Sequence, residues 1–387
     1  MKRAFWIRLP FSLIPLVTIV TLLSSRASLR QGLVYESTTA SDVAQSTTNA
    51  TLLALSLEDT AEEVMRSDVD KLLQGNVLES YQGRAIVLRL RSSVFSRKGN
   101  SRVDAGVRDG VHEEYRIISV VQRSLSEWWR NRRLQPGIMS DLVELVKRPL
   151  DRHKGLPDTG RRYASCAVVG NSGILLQNDH GHLIDGHDLV IRLNNANTHG
   201  YQRHVGSKTG ISFVNSNILH LCSRREGCFC HPYGVDVPIV MYICQAVHFV
   251  DYTICNSPHR APLLITDIRF DMLCTRIVKY YSLKRFVVET GKPPEDWPKF
   301  HDEKMFHYSS GMQAVMLALG ICDQVSVFGF GKSADAKHHY HTNQKEELDL
   351  HDYEAEYAFY RDLVQRPEVI PFFNESGINL PPIVLYH

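Results

Sequence analysis

The chain has 387 residues, enough for two or three domains of ordinary size. Its 44 basic and 42 acidic side chains nearly cancel, which leaves a formal net charge of +2. This balance excludes a protein built mainly to bind a nucleic-acid backbone, because such proteins carry a strong basic excess. A hydrophobic fraction of 43% with 22% charged residues excludes a largely disordered chain and a polytopic membrane protein.

The N-terminus predicts a membrane anchor. A basic tail over residues 1–8 precedes an uncharged apolar run over residues 9–25, which ends before Arg26. A bilayer core takes about 20 apolar residues, with about 17 at the short end. The run is therefore a short signal anchor or a cleaved signal peptide, and the lack of a convincing Ala-x-Ala cleavage site favours the anchor. Positive charge before the run would keep the tail cytosolic and place the rest of the chain in the lumen.

A polar, Ser/Thr-rich stretch follows the apolar run, and residues 26–60 are predicted to form a flexible stem because they offer little apolar surface to bury. The remainder, 61–387, is predicted to be one lumenal catalytic domain with its motif-bearing core at 160–387. Asn49 and Asn374 each begin an Asn-x-Ser/Thr glycosylation sequon, which is usable only in the lumen.

The first hundred residues of this domain are helical in pattern and carry no evident chemistry. They include a lone Asp-x-Asp, Asp68-Val69-Asp70, a pattern with which many sugar transferases bind a metal ion. It lies far from any glycine-rich turn, so we interpret it as an exposed helix face.

Short apolar strands alternate with helices from about residue 160. The predicted strands are 164–169, 189–193, 211–214, 238–243, 263–265 and 325–328. Helical spacing lies between and after them, for example over 272–281. This alternation predicts an α/β sandwich with a largely parallel sheet.

The first of these strands runs directly into a glycine turn, Gly170-Asn171-Ser172-Gly173. A strand that ends in such a turn commonly brings backbone N–H groups close to a phosphate or nucleotide. The second strand ends at Asn194-Asn195, and the strand at 325–328 ends in a further glycine turn, Gly329-Phe330-Gly331. Alone, these are weak signals.

The segment from Tyr308 to Gln313 predicts the start of a helix. Ser310 with Gln313 three residues later forms a capping-box pattern, and Gly320 is the predicted end. One apolar face is predicted to pack on the sheet: Met312, Val315, Met316 and Leu319. Ser309 and Ser310 would then lie at a helix N-terminus, where they either help to hold an anion or only cap the helix.

Histidines cluster near the C-terminus, in His338-His339-Tyr340-His341 and again at His351. Zinc binding is one interpretation, but adjacent histidines cannot all face one metal ion. Another cluster, Cys222, Cys228 and Cys230, could also bind zinc, although disulfides are expected in an oxidising lumen.

Four segments together resemble the motifs of the eukaryotic sialyltransferases, glycosyltransferase family 29. The long motif begins at Cys166, the short motif at Tyr308, the third is 338–341, and the very short motif is His351-x4-Glu356. They occur in the family's order over about residues 165–356. The short motif is most similar to that of the plant sialyltransferase-like proteins.

This resemblance implies a type II membrane protein of the Golgi apparatus whose lumenal domain has a variant GT-A fold, a Rossmann-like α/β/α sandwich. The implied reaction is inverting and needs neither metal nor other cofactor. It would move an acidic sugar, sialic acid or a related acid such as Kdo, from a CMP-sugar to a hydroxyl of a galactose-containing glycan on a glycoprotein or polysaccharide.

The resemblance also implies roles for individual residues. His351 would be the catalytic base and His339 would lie near the donor phosphate. Cys166 and Cys322 would form a disulfide. The remaining positions would hold the cytidine nucleotide from two sides: Asn171, Ser172 and Asn194 on one, and Ser309, Ser310 and Gly311 on the other. A helix N-terminus, hydroxyls and an imidazole can stabilise one leaving phosphate without a metal.

Two positions depart from the family pattern. Asn197 stands where the long motif commonly has proline, and His341 stands where the third motif more often has a larger aromatic residue. Both are expected near the donor pocket, so the donor sugar stays open. The alternatives are a transferase of the same fold with another donor, such as a nucleotide-galactose, or a non-catalytic Golgi protein that binds glycans.

Overall fold

The computed structural model describes residues 49–58, 60–73, 125–129, 137–223, 233–249, 259–302, 306–343 and 351–386. Contacts divide the chain into two units, Met1–Leu55 and Ser56–His387. The first is described only over residues 49–55, which are helical. The predicted tail, the predicted anchor and most of the predicted stem lie outside the described residues. Among the helices that are described, none is both long and apolar enough to cross a membrane.

A seven-stranded sheet forms the centre of the second unit, in the order β5-β4-β3-β2-β1-β6-β7. All six neighbouring pairs of strands are parallel. The strands are β1 (Cys166–Val169), β2 (Leu189–Leu193), β3 (Ile211–Asn215), β4 (Ile239–Tyr242), β5 (Leu263–Ile265), β6 (Val325–Phe328) and β7 (Ile383–Tyr386). The prediction of an α/β fold with a parallel sheet is confirmed. β7, which forms one edge of the sheet, was not predicted.

The central strands are apolar because both faces of the sheet are covered, as is usual for parallel sheets. Every residue of β1, β2, β4 and β6 is buried. Alternate residues of β1, Ala167 and Val169, join Val190 and Phe328 in one core cluster that also contains Tyr340.

Helices connect the strands. They are α1 (Thr60–Leu73), α2 (Ile138–Leu142), α3 (Arg148–His153), α4 (Gly181–Asp185), α5 (Gln202–Val205), α6 (Ser216–Ser223), α7 (Ile268–Thr290), α8 (Ser310–Ile321), α9 (Tyr353–Gln365) and α10 (Phe373–Ser376). A π-helical turn (Val143–Lys147) joins α2 to α3, and 3₁₀ turns occupy Gly173–Gln177, Pro294–Lys299 and Pro367–Val369.

Helix α8 differs from its prediction in three details. Its N-cap is Ser309 rather than Ser310, because the Ser309 hydroxyl accepts from the Met312 amide at 3.2 Å. The helix passes through Gly320 and ends at Ile321; glycine is needed at residue 320 because Leu142 packs where its Cβ would lie. Every residue of α8 is buried, so the predicted single apolar face was too narrow.

Gln313 does not complete the predicted capping box. Its side-chain amide donates instead to Asp271 of α7, in a buried contact between the two helices.

Two surface features agree with their sequence interpretation. Asp68 and Asp70 lie on α1 on either side of buried Val69, and Asp68 pairs with Lys71 at 3.5 Å. Both sequon asparagines, Asn49 and Asn374, are exposed.

A disulfide joins Cys166, the first residue of β1, to Cys322, which follows α8, with a Cα–Cα distance of 6.0 Å. Tyr163 also bridges to Cys322 in a parallel β-bridge. The cross-link therefore lies at the amino ends of β1 and β6. The side chains of Cys222, Cys228 and Cys230 lie outside the described part of the chain.

Candidate active site

A pocket opens at the carboxyl ends of the central strands, with about 720 Å³ of space including its open mouth. All eight residues to which the sequence analysis assigned donor-binding or catalytic roles line it together: Asn171, Ser172, Asn194, Ser309, Ser310, Gly311, His339 and His351. They come from segments up to 180 residues apart in sequence (351 − 171). Because parallel strands bring their carboxyl ends to one edge, such gathering is the usual way an open α/β sheet builds a ligand site.

Two glycine turns form the floor of the pocket. Strands β1 and β6 pair with Val169 beside Phe328, so Gly170 and Gly329 are the next neighbours. A Cβ at Gly170 would lie 2.6 Å from the Gly329 carbonyl oxygen. Glycine is thus needed at residue 170 because the two backbones touch.

The first glycine turn carries two polar side chains, Asn171 and Ser172, that have different roles. The Ser172 hydroxyl donates to the Gly331 carbonyl at 2.8 Å and accepts from the Ile174 amide at 3.3 Å. Ser172 thus joins the two glycine turns with both capacities of its hydroxyl. The side-chain oxygen of Asn171 is buried and has no partner among the described residues. It is available to a ligand that brings a donor, as a buried acceptor needs.

Amides at the ends of β2 and β3 are held together beneath the mouth of the pocket. The Asn194 side chain donates to the Ser310 hydroxyl at 3.3 Å and accepts from the Asn215 backbone amide at 3.1 Å. Tyr242 of β4 also contacts the Ser310 hydroxyl, at 3.1 Å. Asn194 holds a left-handed backbone conformation with φ 51, which asparagine tolerates better than most residues. This network fixes β2, β3, β4 and α8 relative to one another.

The N-terminus of α8 faces the pocket. Its cap, Ser309, donates through its amide and its hydroxyl to the two carboxylate oxygens of Glu356, each at 2.6 Å. The next amides, of Ser310 and Gly311, have no acceptor among the described residues, as expected for the first turn of a helix. These N–H groups can therefore bind an anion.

His351 is oriented by the backbone. Its Nδ1 lies 2.9 Å from the His307 carbonyl oxygen. Because a carbonyl can only accept, Nδ1 carries the proton and Nε2 retains a free lone pair. Burial, with a smaller effect of the neighbouring His307, lowers the pKa of His351 to about 3. The imidazole is therefore neutral near pH 7 and able to accept a proton.

His339 lies within a stack of histidine rings. Its ring centroid is 4.5 Å from that of His338 and 5.6 Å from that of His341. Burial, assisted by these two neighbours, lowers the pKa of His339 to about 4. Tyr353 connects this stack to His351, since its ring lies edge-on to both His338 and His351.

The two departures from the family pattern contribute indirectly. Neither Asn197 nor His341 is among the residues that line the pocket. The Asn197 carbonyl accepts from the Tyr340 hydroxyl at 2.9 Å, and His341 stacks on His339.

The sequence analysis assigned no role to several residues that line the pocket: Asn215, Phe330, His338, Tyr353, Glu356, Tyr357 and Tyr360. Two carried a usable signal. Asn215 ends β3 as Asn194 follows β2, and Glu356 closes the very short motif. Tyr353, Tyr357 and Tyr360 carried none, because their approach depends on how α9 packs.

The lining of the pocket contains no Lys or Arg; its titratable side chains are histidines, tyrosines and Glu356. Within the described residues, no group of three or more His, Cys, Asp or Glu side chains is placed to hold a metal ion.

Comparison with known proteins identifies the family. Residues 116–367 match the model of glycosyltransferase family 29 (sialyltransferase). The chain belongs to this family and is a glycosyltransferase, which confirms the resemblance seen in its motifs.

Two plant relatives are similar over most of their length. Sialyltransferase-like protein 1 of Oryza sativa subsp. japonica is 52% identical over 88% of each chain. Beta-1,6-galactosyltransferase GALT29A of Arabidopsis thaliana is 52% identical over 88% of this chain and 87% of the other. Among solved structures, a mammalian sialyltransferase aligns with 74% of this chain and 87% of its own, at 21% identity and a TM-score of 0.34.

Proposed function

We propose that the protein transfers a sugar, with inversion, from a nucleotide-sugar to a hydroxyl group of a galactose-containing glycan. The observation that carries the proposal is the single pocket that combines a neutral histidine, His351, with the open N-terminus of α8 and the two glycine turns. The histidine acts on the acceptor and the backbone N–H groups act on the donor phosphate.

His351 acts as the general base in this proposal. Its Nε2 takes the proton from the acceptor hydroxyl as that oxygen attacks the anomeric carbon. Burial lowers the pKa of this histidine to about 3. A bound phosphate places a negative charge nearby, which favours the protonated imidazole and raises this pKa. The donor therefore strengthens the base that acts on its partner substrate.

The leaving phosphate is stabilised by the protein alone in this proposal. The Ser310 and Gly311 amides offer two N–H donors, and His339 offers an imidazole. Preorganised donors of this kind stabilise charge that develops as the bond to the sugar breaks. No metal ion is needed for such an arrangement, and binding in the presence of EDTA tests that point.

Galactose is the donor sugar that the name of one relative favours. A protein 52% identical over nearly the whole chain is named a beta-1,6-galactosyltransferase. The second candidate is an acidic sugar from a CMP donor, which the family description favours. The pocket supports that candidate too, because a lining without Lys or Arg suits one phosphate better than two.

A donor screen decides between these candidates. The purified domain is incubated with CMP-sialic acid, CMP-Kdo and UDP-galactose, each with a galactose-rich acceptor, with and without EDTA. Release of CMP, UMP and UDP is measured together with the glycan product. His351→Ala is the matched inactive control. If the acceptor stimulates the release of none of the three nucleotides, the proposed function is wrong.

We propose a Golgi location with the pocket in the lumen and residues 9–25 as a single type II anchor. The variant GT-A form of the α/β fold belongs to the same proposal. Support comes from the basic tail, the uncharged run and the exposed sequon at Asn374. Glycosidase-sensitive mass on the full-length protein is the expected result, and an unglycosylated cytosolic product would contradict it.

A further inference from the structure

Glu356 places a carboxyl group beside the helix N-terminus at which a donor phosphate would bind. It is 2% exposed, and both of its oxygens accept from Ser309, the cap of α8. The phosphate of a donor would approach the next two amides of the same helix. A buried carboxylate and a phosphate would then share one helix N-terminus. Like charges in a site of low dielectric repel each other much more strongly than in water.

Burial already favours the neutral form of this carboxyl group. It raises the pKa of Glu356 to about 7, although the hydrogen bonds from Ser309 and Tyr360 act in the opposite direction. A phosphate nearby would raise this pKa further, because it disfavours a second negative charge. Glu356 is thus poised to gain a proton when the phosphate arrives.

We propose that Glu356 is a positioning residue that controls how phosphate binds at the N-terminus of α8. Ionised, it holds Ser309 and repels the donor phosphate; protonated, it allows the phosphate to bind. Each donor molecule then binds together with a proton from solvent, and its affinity rises as the pH falls. The inference rests on the proposed function, since it assumes a phosphate donor in this pocket.

Other titratable groups around Glu356 do not replace it in this role. Burial raises the pKa of Tyr242, Tyr360 and Cys274 well above their ordinary values, so these groups stay neutral. Asp352 is not among the residues that line the pocket, and it pairs with Arg285 at 3.1 Å. The pocket histidines would also gain protons, so the experiment must separate them from Glu356. The titratable groups around Glu356 are therefore Asp352 and Tyr360 near it in the sequence, Tyr242 on β4, Cys274 on α7, and His338, His339 and His351 in the pocket.

The test is calorimetric titration of the folded protein with CMP and UDP from pH 6.0 to 8.5, with cytidine and uridine as uncharged probes. The variant is Glu356→Gln, which keeps the shape and removes the charge. The matched control is Glu354→Gln, two residues away on the same helix, where the side chain is exposed and pairs with Lys332.

We expect the nucleotide Kd of the wild type to weaken by up to about tenfold per pH unit above pH 7, as one linked proton requires. Glu356→Gln should lose most of this slope and bind nucleotide more tightly than the wild type at pH 8.5. Glu354→Gln should follow the wild type. The nucleosides should show no slope in any variant.

If Glu356→Gln leaves the pH dependence of the nucleotide Kd unchanged, the proton belongs to the histidines and the inference is wrong. The proposed function would still stand in that case, because the nucleotide binds. Failure of both nucleotides to bind at any pH would overturn both. If Glu356→Gln does not fold, Ser309→Ala provides the test. It removes one hydrogen bond to the ionised carboxylate, so the onset of the slope should move to higher pH, and an unmoved onset would overturn the inference.

Discussion

Strands β1 and β6 lie side by side, yet their two ends are built in opposite ways. At the amino ends, Cys166 and Cys322 form a disulfide, and the buried Lys147–Asp151 pair contacts Tyr163. At the carboxyl ends, Gly170 and Gly329 meet without side chains and leave an open pocket. The cross-linked end fixes the relative position of the two strands, and this allows the other end to remain open for a ligand.

This comparison predicts that changes at the pocket end alter activity more than stability. The largest expected effect is that of His351→Ala, which should lower kcat by about 10²–10⁴-fold because the proposed base is lost. Nucleotide affinity should change little, because Nε2 faces the acceptor in the proposed mechanism. His199→Ala, at an exposed position outside the pocket, is the control.

The His351→Ala measurement combines turnover with the thermal midpoint. If His351 only packs α9 against the domain, lost activity will follow lost stability. A variant that folds, binds nucleotide and still turns over near the wild-type rate would end the assignment of the base.

Changes at the cross-linked end should do the reverse. The disulfide spans 156 residues, and closing a loop of that length is worth about 5 kcal/mol in the chain-entropy model. We expect the double variant Cys166→Ser, Cys322→Ser to lose about 2–5 kcal/mol of unfolding free energy in urea, while the folded fraction binds nucleotide normally. Cys244→Ser, which removes a free cysteine, should have a smaller effect. Equal stability of the double variant and the wild type would show that the cross-link does not hold this end.

Gly170→Ala tests the contact between the two turns. The added methyl group would lie 2.6 Å from the backbone oxygen of Gly329, so one turn must move. Overpacking of this kind costs about 1–3 kcal/mol. Because the same turns line the pocket, nucleotide affinity should fall together with the unfolding free energy. Gly186→Ala is the control, since its nearest neighbour would be 3.4 Å away. Unchanged affinity would mean that the turns do not shape the site.

The last expected effect is the dependence of stability on pH. Burial lowers the pKa of several histidines: His248, His301, His307, His339, His341 and His351. Below about pH 6.5 the unfolded chain binds protons at these positions and the folded chain does not, so stability falls as the pH falls. Glu356 acts in the opposite direction between about pH 4.5 and 7, because its folded pKa is raised. Because six histidines act against one glutamate, the net effect is a loss of stability as the pH falls.

Urea denaturation should therefore give a lower unfolding free energy at pH 5 than at pH 7. Glu356→Gln should enlarge this difference, because it removes the opposing group. Equal stability at both pH values would indicate that the histidines are accessible to protons in the folded protein.

The sequence by itself determined the class of fold and most of the candidate site. Buried parallel strands need continuous apolar runs, and six of the seven strands could be recognised from such runs, with glycine turns at two of their ends. The four motifs led to eight of the residues that line the pocket. β7 was missed although Ile383–Tyr386 is an apolar run, because the run is short and directly follows two prolines, which are as typical of a loop as of an edge strand.

Only the tertiary structure decided how the groups act. Whether Ser309 or Ser310 caps α8 depends on Glu356, which approaches from 47 residues away and binds the amide and hydroxyl of Ser309. The free nitrogen of His351 depends on the carbonyl of His307, which no motif contains. The pKa of each group depends on burial, and burial depends on how α8 and α9 pack. Sequence spacing identifies the residue types, whereas protonation and hydrogen-bond capacity are set by neighbours that are distant along the chain.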